Sequence, residues 1–356
     1  MSDVTVPDRG TPAWNGGSAT TVPPLIAGET VYSVSGELTA LDAQTGQQRW
    51  ETDLDVDSPG GIVTQPAVSG DRILLGLEGK LRSFDPDDGS EQWEQPIDGV
   101  PIGPITVSAD DGIAVVPFER PSEGDPIIEL IGVSITSGQT EWTAQMLASV
   151  RTTPPAVRDE QVYAAGYTQE DRPILRCFGI ETGDFVWEQQ LTDPSTPPVA
   201  TEDGVFIGEE GQLSIYDLVD GEPTGSITVS DRPISAFAVT DTTAFVLDGG
   251  GLSALSITDG TEQWSVEGTP QADGLAVGEN AVVAPISSDR FPLDTSWPCI
   301  AAFSRNDGTV QWYHAIDDTF DPVISTPPVI ADGAVLMISN QNSGITALGD
   351  LPPQEE

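Results

Sequence analysis

The sequence predicts an all-β protein built from many short strands, and three observations support this prediction. The chain of 356 residues contains 37 Gly and 30 Pro, two residue types that interrupt long helices. No window keeps the i, i+3, i+4, i+7 apolar spacing of an amphipathic helix. A thirteen-residue pattern also recurs along the chain, with the alternation expected of two strands joined by a tight turn. The length exceeds that of one ordinary hydrophobic core, so a modular architecture is expected.

The recurring pattern is a strand, a turn and a second strand, as in LTALDAQTGQQRW at residues 38–50. The further copies are LRSFDPDDGSEQW (81–93), LIGVSITSGQTEW (130–142), LRCFGIETGDFVW (175–187), LSIYDLVDGEPTG (213–225), LSALSITDGTEQW (252–264) and IAAFSRNDGTVQW (300–312). Every copy has Gly four positions before its end, where a short turn requires a left-handed backbone. These glycines are Gly46, Gly89, Gly138, Gly183, Gly221, Gly260 and Gly308.

Two other positions of the repeat are restricted in size. Six of the seven copies end in Trp, and ten positions earlier the same six copies have a small residue. The small residues are Ala40, Ser83, Gly132, Cys177, Ala254 and Ala302. The exception has Ile215 in place of the small residue and Gly225 in place of Trp. We therefore expect that this copy fills the volume of the missing Trp from the opposite side.

The spacing of the copies predicts a propeller. Their end points lie 38 to 49 residues apart, and a four-stranded propeller blade takes about 40–45 residues. An eighth copy begins with GITALG at Gly344 but would need its Trp at position 357, and Trp14 supplies the missing outer strand. The sequence thus predicts an eight-bladed β-propeller of four-stranded blades A to D, the last closed by the N-terminal strand. One domain is expected over residues 1–356, with blades at about 11–349 and a short acidic tail at 350–356.

These hairpins resemble the pyrroloquinoline-quinone (PQQ) repeat propellers, a family that includes quinoprotein alcohol dehydrogenases and BamB-type outer-membrane assembly lipoproteins. The resemblance covers about residues 11–349. In that family the Trp docks between neighbouring blades, which implies structural roles for the repeat tryptophans and glycines. The tryptophans are Trp14, Trp50, Trp93, Trp142, Trp187, Trp264 and Trp312.

The same resemblance raises the question of a quinone cofactor. Dehydrogenases of the family hold PQQ between a Trp and a ring of adjacent disulfide-bonded cysteines, with acidic and amide ligands to Ca²⁺. Here Cys177 and Cys299 stand far apart in sequence, and the one Trp outside the repeat, Trp297, lies in a loop. The D-x-D-x-D start at 53–57 lacks the Gly and Glu of a calcium loop, and His314 has no partner base. We expect no catalytic residue, no cofactor or metal such as PQQ or Ca²⁺, and no enzyme activity.

The net charge of −44 limits the possible partners and location. Such a charge excludes non-specific binding to nucleic acid or anionic lipid. Dispersed acids with a single Lys, Lys80, resemble proteins of high-salt archaea, so a halophilic protein with an acidic surface is expected. No apolar run is long enough for a membrane span, and a monomer is expected. The first 30 residues lack an export signal, so the chain as written is expected in the cytoplasm, and at the cell surface if its true start lies upstream.

The uneven loops point to a binding face. In an antiparallel blade, the B–C and D–A connections share one end, which we call the loop end, and the A–B and C–D turns share the other. Three B–C insertions, at 117–126, 167–173 and 285–298, each contain an Arg. The candidate partner-binding residues on this end are Arg120, Arg151, Arg172, Arg232, Arg290, Phe291 and Trp297. Arg and exposed aromatics are favoured as interface anchors, but each Arg could equally pair with a nearby acid such as Asp171 or Glu123.

Three functions remain open from the sequence. The favoured one is a non-catalytic scaffold that binds a protein or peptide partner through the loop end, chiefly of blades 3 and 4. The second is a PQQ- and Ca²⁺-dependent quinoprotein-like oxidoreductase. The third is a module that binds a small anionic or carbohydrate ligand in the mouth of the channel. The repeat is specific for the fold but says little about which of these functions the chain has.

Overall fold

A computed structural model of the chain describes residues 5–8, 10–17, 22–56, 64–121, 127–147, 153–168, 170–287, 299–315, 327–331, 333–338 and 344–349. Regular secondary structure within these residues consists of 34 strands. None of the described segments is a helix with the length and apolar character needed to cross a membrane.

The strands group by blade in chain order. After β1 (Pro12–Gly16), blade 1 contains β2 (Leu25–Ala27), β3 (Thr30–Val34), β4 (Glu37–Asp42) and β5 (Gln48–Asp53). Blade 2 contains β6 (Ala67–Ser69), β7 (Arg72–Leu77), β8 (Lys80–Phe84) and β9 (Glu91–Pro96). Blade 3 contains β10 (Val100–Pro101), β11 (Thr106–Ser108), β12 (Ile113–Arg120), β13 (Ile127–Ser134) and β14 (Thr140–Leu147). Blade 4 contains β15 (Ala156–Arg158), β16 (Gln161–Tyr167), β17 (Pro173–Gly179) and β18 (Phe185–Gln190).

The remaining blades follow the same plan. Blade 5 contains β19 (Val199–Thr201), β20 (Gly204–Glu209), β21 (Gln212–Tyr216) and β22 (Pro223–Thr228). Blade 6 contains β23 (Ile234–Val239), β24 (Thr243–Asp248), β25 (Gly251–Ser256) and β26 (Glu262–Glu267). Blade 7 contains β27 (Thr269–Pro270), β28 (Ala276–Val277), β29 (Ala281–Ser287), β30 (Cys299–Ser304) and β31 (Val310–Ala315). Blade 8 contains β32 (Val329–Ala331), β33 (Ala334–Ile338) and β34 (Ile345–Gly349), together with β1.

Each group forms one antiparallel sheet in the order A-B-C-D, and the predicted eight-bladed β-propeller is confirmed. Blades 3 and 7 have a divided first strand, so that two short strands pair with one strand B. Strand B reads as a continuous apolar run because it is buried along most of its length, as in β7. Strand D alternates between exposed and covered side chains, as in β9.

The chain divides into two compact units. One unit comprises Met1–Ser35, Thr39–Glu51 and Ile227–Glu356, and the other comprises Gly36–Leu38 and Thr52–Ser226. In the first unit, β1 pairs with β34 in the order β1-β34-β33-β32, so the N-terminal strand is the outer strand of blade 8, as predicted. Trp14 stands opposite Ala347, which is the small residue of the incomplete eighth copy. The interrupted repeat is therefore completed across the two ends of the chain.

The repeat glycines have the backbone conformation that the turns require, with φ between 67° and 74° at all seven positions. At five of these positions, Gly46, Gly138, Gly183, Gly221 and Gly308, a second restriction comes from the tryptophan of a neighbouring blade. A Cβ on Gly183 would lie 2.6 Å from Cε3 of Trp142, and a Cβ on Gly46 would lie 2.6 Å from Cε3 of Trp14. The Trp142 indole also donates a hydrogen bond into the turn that it covers, at 2.6 Å to the Ile180 carbonyl. Glycine is needed at these positions because the turn requires a positive φ and because the indole ring leaves no space for a Cβ.

The small residue of the repeat lies under the tryptophan of its own blade. Ala254 pairs across strands with Trp264, and Cys177 pairs with Trp187. In blade 5, Cδ1 of Ile215 lies 3.8 Å from the place that a Cβ on Gly225 would take. The larger side chain on strand C thus reaches toward the position vacated on strand D, which agrees with the expected exchange of volumes.

Candidate functional site

The loop end of blades 3 and 4 carries two of the predicted partner-binding residues, Arg120 and Arg172. Arg232 belongs to the other compact unit. The remaining predicted residues, Arg151, Arg290, Phe291 and Trp297, lie outside the described residues.

Arg120 ends the long hairpin of blade 3. Strands β12 and β13 are each eight residues long and pair from Ile113 with Ser134 to Arg120 with Ile127. Arg120 Nη2 lies 2.7 Å from Oε2 of Glu129, and the two side chains are 43% and 10% exposed. Among the described residues, Nε of Arg120 has no hydrogen-bond partner. The arginine is held at the tip of the hairpin while part of its guanidinium still faces solvent.

Arg172 lies in the B–C connection of blade 4. Its guanidinium contacts Oε2 of Glu170 at 3.0 Å, and its side chain is 57% exposed. The turn is closed locally, because Thr168 N donates to the Arg172 carbonyl at 2.8 Å and Asp171 has a φ of 58°. Exposed pairs of this kind contribute only about 0–1 kcal/mol to stability, so Arg172 is available for other contacts at small cost.

Arg232 packs on the B–C turn of blade 6. Its Cδ lies 3.4 Å from the place that a Cβ on Gly249 would take, and its amide donates to Ser230 Oγ at 3.0 Å. Each described arginine of the predicted set therefore contacts residues of its own loop or of an adjoining strand or turn. Among the described residues, Arg120 pairs with Glu129 and Arg172 pairs with Glu170 rather than with Asp171, while Glu123 lies outside the described residues.

A cavity of about 220 Å³ opens at the same end of blade 4, where the 167–173 insertion begins. We call it the Tyr167 pocket, and its lining residues are Thr153, Ala165, Gly166, Tyr167, Asp193, Pro194 and Ser195. The Tyr167 hydroxyl donates to Oδ1 of Asp193 at 3.1 Å, which joins the end of strand B to the D–A connection. The sequence does not indicate that these two residues meet, because 26 positions separate them and no motif links them.

The buried carboxylate of Glu209 holds in place the D–A connection that contributes Asp193 to the pocket. Glu209 is 3% exposed, and its Oε1 accepts from Thr192 N at 2.6 Å while its Oε2 accepts from the Tyr216 hydroxyl at 2.7 Å. Burial, and after it the hydrogen bond to Glu209, raise the pKa of Tyr216, so this phenol remains a donor at neutral pH. Thr196 Oγ1 accepts from Gly208 N at 2.8 Å, which secures the far end of the same connection. The connection is therefore ordered before any ligand binds.

The described residues do not provide the groups that hold PQQ in the dehydrogenases. Cys177 and Cys299 are both buried free thiols. Burial raises the pKa of Cys177 to about 12 and that of Cys299 to about 11, so both remain protonated at neutral pH. Within the described part of the chain, no three His, Cys, Asp or Glu side chains converge as metal ligands. Trp297 lies outside that part, and the expectation that no cofactor binds stays a prediction.

The single histidine is part of a packing region. His314 lies on β31, and burial lowers its pKa while a hydrogen bond with the Gly10 backbone acts in the opposite direction. The neighbouring Trp312 donates to the Pro7 carbonyl in the same N-terminal segment. Through these contacts His314 packs beside the N-terminal segment that precedes β1.

Comparison with known proteins decides the family. The family model described as outer membrane protein assembly factor BamB matches residues 2–223 and 170–355, which together span almost the whole chain. The chain belongs to this family. Among curated proteins, no sequence matches it.

Solved structures share the BamB-type propeller fold at low identity. BamB from Moraxella catarrhalis is 14% identical with a TM-score of 0.66, and the match covers 92% of this chain and 96% of that one. The computationally designed protein Ika8 is 16% identical with a TM-score of 0.70, covering 97% and 99%. Quinohemoprotein alcohol dehydrogenase from Comamonas testosteroni is 13% identical with a TM-score of 0.72, covering 97% of this chain and 77% of that one.

The last of these similarities corrects one prediction. The prediction that this BamB-type chain is not an enzyme is wrong. The chain shares its fold with an alcohol dehydrogenase as well as with BamB, so the fold does not exclude enzyme activity. A low-identity likeness to both proteins establishes the propeller, and the propeller supports catalytic and non-catalytic functions alike. Function must therefore be argued from the particular side chains of this chain.

Proposed function

We propose that this BamB-type propeller binds a protein or peptide partner through the loop end of blades 3 and 4. The observation that carries the proposal is the greater length of the strand B and strand C hairpins there. The strands are eight residues each in blade 3 and seven each in blade 4. The corresponding strands are six and five residues long in blades 2 and 5.

Charge and exposure at this end suit a protein interface. Arg120 and Arg172 place partly exposed guanidinium groups at the tips of hairpins, in a chain whose net charge is −44. Arginine forks bind carboxylates in two-point contacts and are enriched at interface anchors. The acids beside them allow the two arginines to stay ordered without a partner. We expect a partner that contributes carboxylates to these positions.

A pull-down with matched variants tests the proposal. Tagged wild-type chain is incubated with extract from the source cells, and recovered proteins are compared with those of an Arg120→Gln, Arg151→Gln, Arg172→Gln triple variant. The control changes three arginines away from the loop end, Arg49, Arg158 and Arg305, to Gln. We expect loss of specific partners in the first variant and wild-type recovery in the control.

If the Arg120, Arg151 and Arg172 variant recovers the same partners as the control variant and the wild-type chain, the proposed surface is contradicted. Thermal melting of each variant checks that the fold is retained, so that loss of binding is not caused by unfolding.

A further inference from the structure

We infer that the Tyr167 pocket receives one basic side chain, arginine or lysine, from the bound partner. The inference rests on the proposed function, because the pocket opens at the loop end of blade 4, where Tyr167 begins the 167–173 insertion that contains Arg172. It specifies one further contact of the proposed interface, in addition to those that Arg120 and Arg172 would make.

The size of the pocket fits a side chain better than a free ligand. Its volume is about 220 Å³, while pockets for small molecules and cofactors are usually about 300–1,000 Å³. Interfaces commonly place one anchoring side chain into a small preformed cavity. The volume therefore indicates an anchor of a peptide or protein.

The polar groups of the pocket select a cation. Asp193 carries the only charge among the lining residues. Within the described residues, the Tyr167 phenol gives the one hydrogen bond to its carboxylate, at Oδ1. The hydroxyls of Thr153 and Ser195 face backbone carbonyls, at 3.5 Å from Ala165 O and 3.3 Å from Gly208 O. A carboxylate among hydroxyl and carbonyl oxygens favours a guanidinium or ammonium group.

The remaining lining suits the stem of such a side chain. Ala165, Gly166, Pro194 and Tyr167 contribute carbon atoms to the lining of the same pocket as Asp193. Arginine and lysine bury their methylene stems against apolar surface while the charged head makes polar contacts. The Glu209 contacts hold the 191–196 connection in place, so little ordering is needed on binding. An acidic side chain would meet Asp193 and be repelled.

The inference is tested with a probe for the side chain alone. N-acetyl-arginine amide and N-acetyl-lysine amide are titrated into the isotope-labelled full chain, and amide shifts are followed by NMR. N-acetyl-glutamine amide serves as the uncharged control. We expect saturable shifts at Gly166, Tyr167 and Ser195 with both basic probes, and none there with the control.

Two variants and a matched control locate the binding. Asp193→Asn removes the charge with little change of shape and should weaken binding at least about tenfold, as expected for a hydrogen bond to a charged group. Tyr167→Phe should weaken it less, because it removes only the hydroxyl that orients Asp193. Asp171→Asn removes an exposed acid of the same blade outside the pocket, and it should bind as wild type.

Failure of this inference can be told from failure of the proposed function. No pocket shifts with the basic probes, shifts spread over the acidic surface, or an unchanged affinity in Asp193→Asn would each overturn it. If the arginine triple variant loses the partner while Asp193→Asn recovers it fully, the surface stands and the pocket is wrong. Loss of the partner in both variants, with probe binding lost only in Asp193→Asn, is the result we expect.

Discussion

The two ends of the blades differ in how much their sequences are restricted. At the C–D end, most turns repeat the same construction, in which an Asp or Ser side chain accepts turn amides and a Gly lies beneath an indole; blade 4 has Gly179 in place of the Asp or Ser, and Gly260 of blade 6 lies against Ile227. Asp42 Oδ1 accepts from Thr45 N at 2.9 Å, and Ser134 Oγ accepts from Ser137 N at 3.3 Å. At the loop end, hairpin lengths and side chains change from blade to blade. Packing restricts the first end, so sequence variation is accommodated at the second, where we propose that the partner binds.

The largest effect we predict is that of salt on the whole fold. With a net charge of −44, self-repulsion is screened over about 3 Å at 1 M salt and over about 10 Å at 0.1 M. The melting temperature should therefore rise clearly between 0.1 M and 3 M KCl. Because the acids are dispersed over the sequence, both ends should respond together. A melting temperature that stays constant over this range would contradict the prediction.

The next largest effect separates the indole contact from the turn conformation. Gly46 and Gly28 both have positive φ, at 70° and 59°. A Cβ on Gly46 would meet the Trp14 ring at 2.6 Å, whereas a Cβ on Gly28 would have no atom within 4 Å. Gly28→Ala should cost about 1–2 kcal/mol for the backbone alone, and Gly46→Ala about 1–3 kcal/mol more for overpacking. Urea unfolding in 3 M KCl measures both, and equal losses would remove the indole from the explanation.

Blade 5 tests whether the repeat is a pair of complementary volumes. Gly225→Trp alone should destabilise by about 1–3 kcal/mol, since the ring would overlap the volume taken by Ile215. Adding Ile215→Ala should recover much of this loss and restore the pairing found between Ala254 and Trp264. A double-mutant cycle from urea unfolding gives the interaction energy, and strictly additive effects would argue against the exchange.

The smallest effect concerns the turn carboxylates of the C–D end. Hydrogen bonds from Ser256 and Thr261 hold the pKa of Asp259 below its model-compound value of 3.8. A lowered folded pKa contributes stability that is complete above the unfolded pKa and is lost as pH falls through the folded pKa. Asp259→Ala should therefore lower the free energy of unfolding slightly at pH 7, and the difference should vanish in strong acid. A difference that grows on acidification would have the wrong sign.

The sequence predicts the fold because the same residue pattern recurs in each blade. Gly183 marks the turn, Trp187 the outer strand and Cys177 the space beneath the ring, and Trp14 shows where the chain closes. The sequence could not show that Trp142 covers Gly183, because that contact joins different copies. Nor did it show that Arg82, which contacts the Leu54 carbonyl at 3.0 Å, links successive blades.

The candidate site was predictable only in outline. The 167–173 insertion lies at the end of blade 4 that carries the Tyr167 pocket, and it begins at Tyr167. Asp193, which accepts the hydrogen bond of the Tyr167 hydroxyl, lies in a D–A connection. The sequence of that connection, in which Pro194 follows Asp193, resembles an ordinary turn. The pairing depends on the position that the buried Glu209 gives to that connection, and no local pattern encodes it. Features that recur within each copy of the repeat are thus predictable from sequence, while contacts between copies and contacts made only once need the three-dimensional arrangement.

Hydrogen–deuterium exchange of the chain with and without its recovered partner tests the central claim most directly. We predict slower exchange on binding in peptides that cover the blade 3 hairpin tip at 117–130, the blade 4 connection at 165–175 and the 191–196 connection. Peptides over the C–D turns around Gly138, Gly183 and Gly221 should be unchanged. Slower exchange at these turns, with no change at the loop end of blades 3 and 4, would contradict the account.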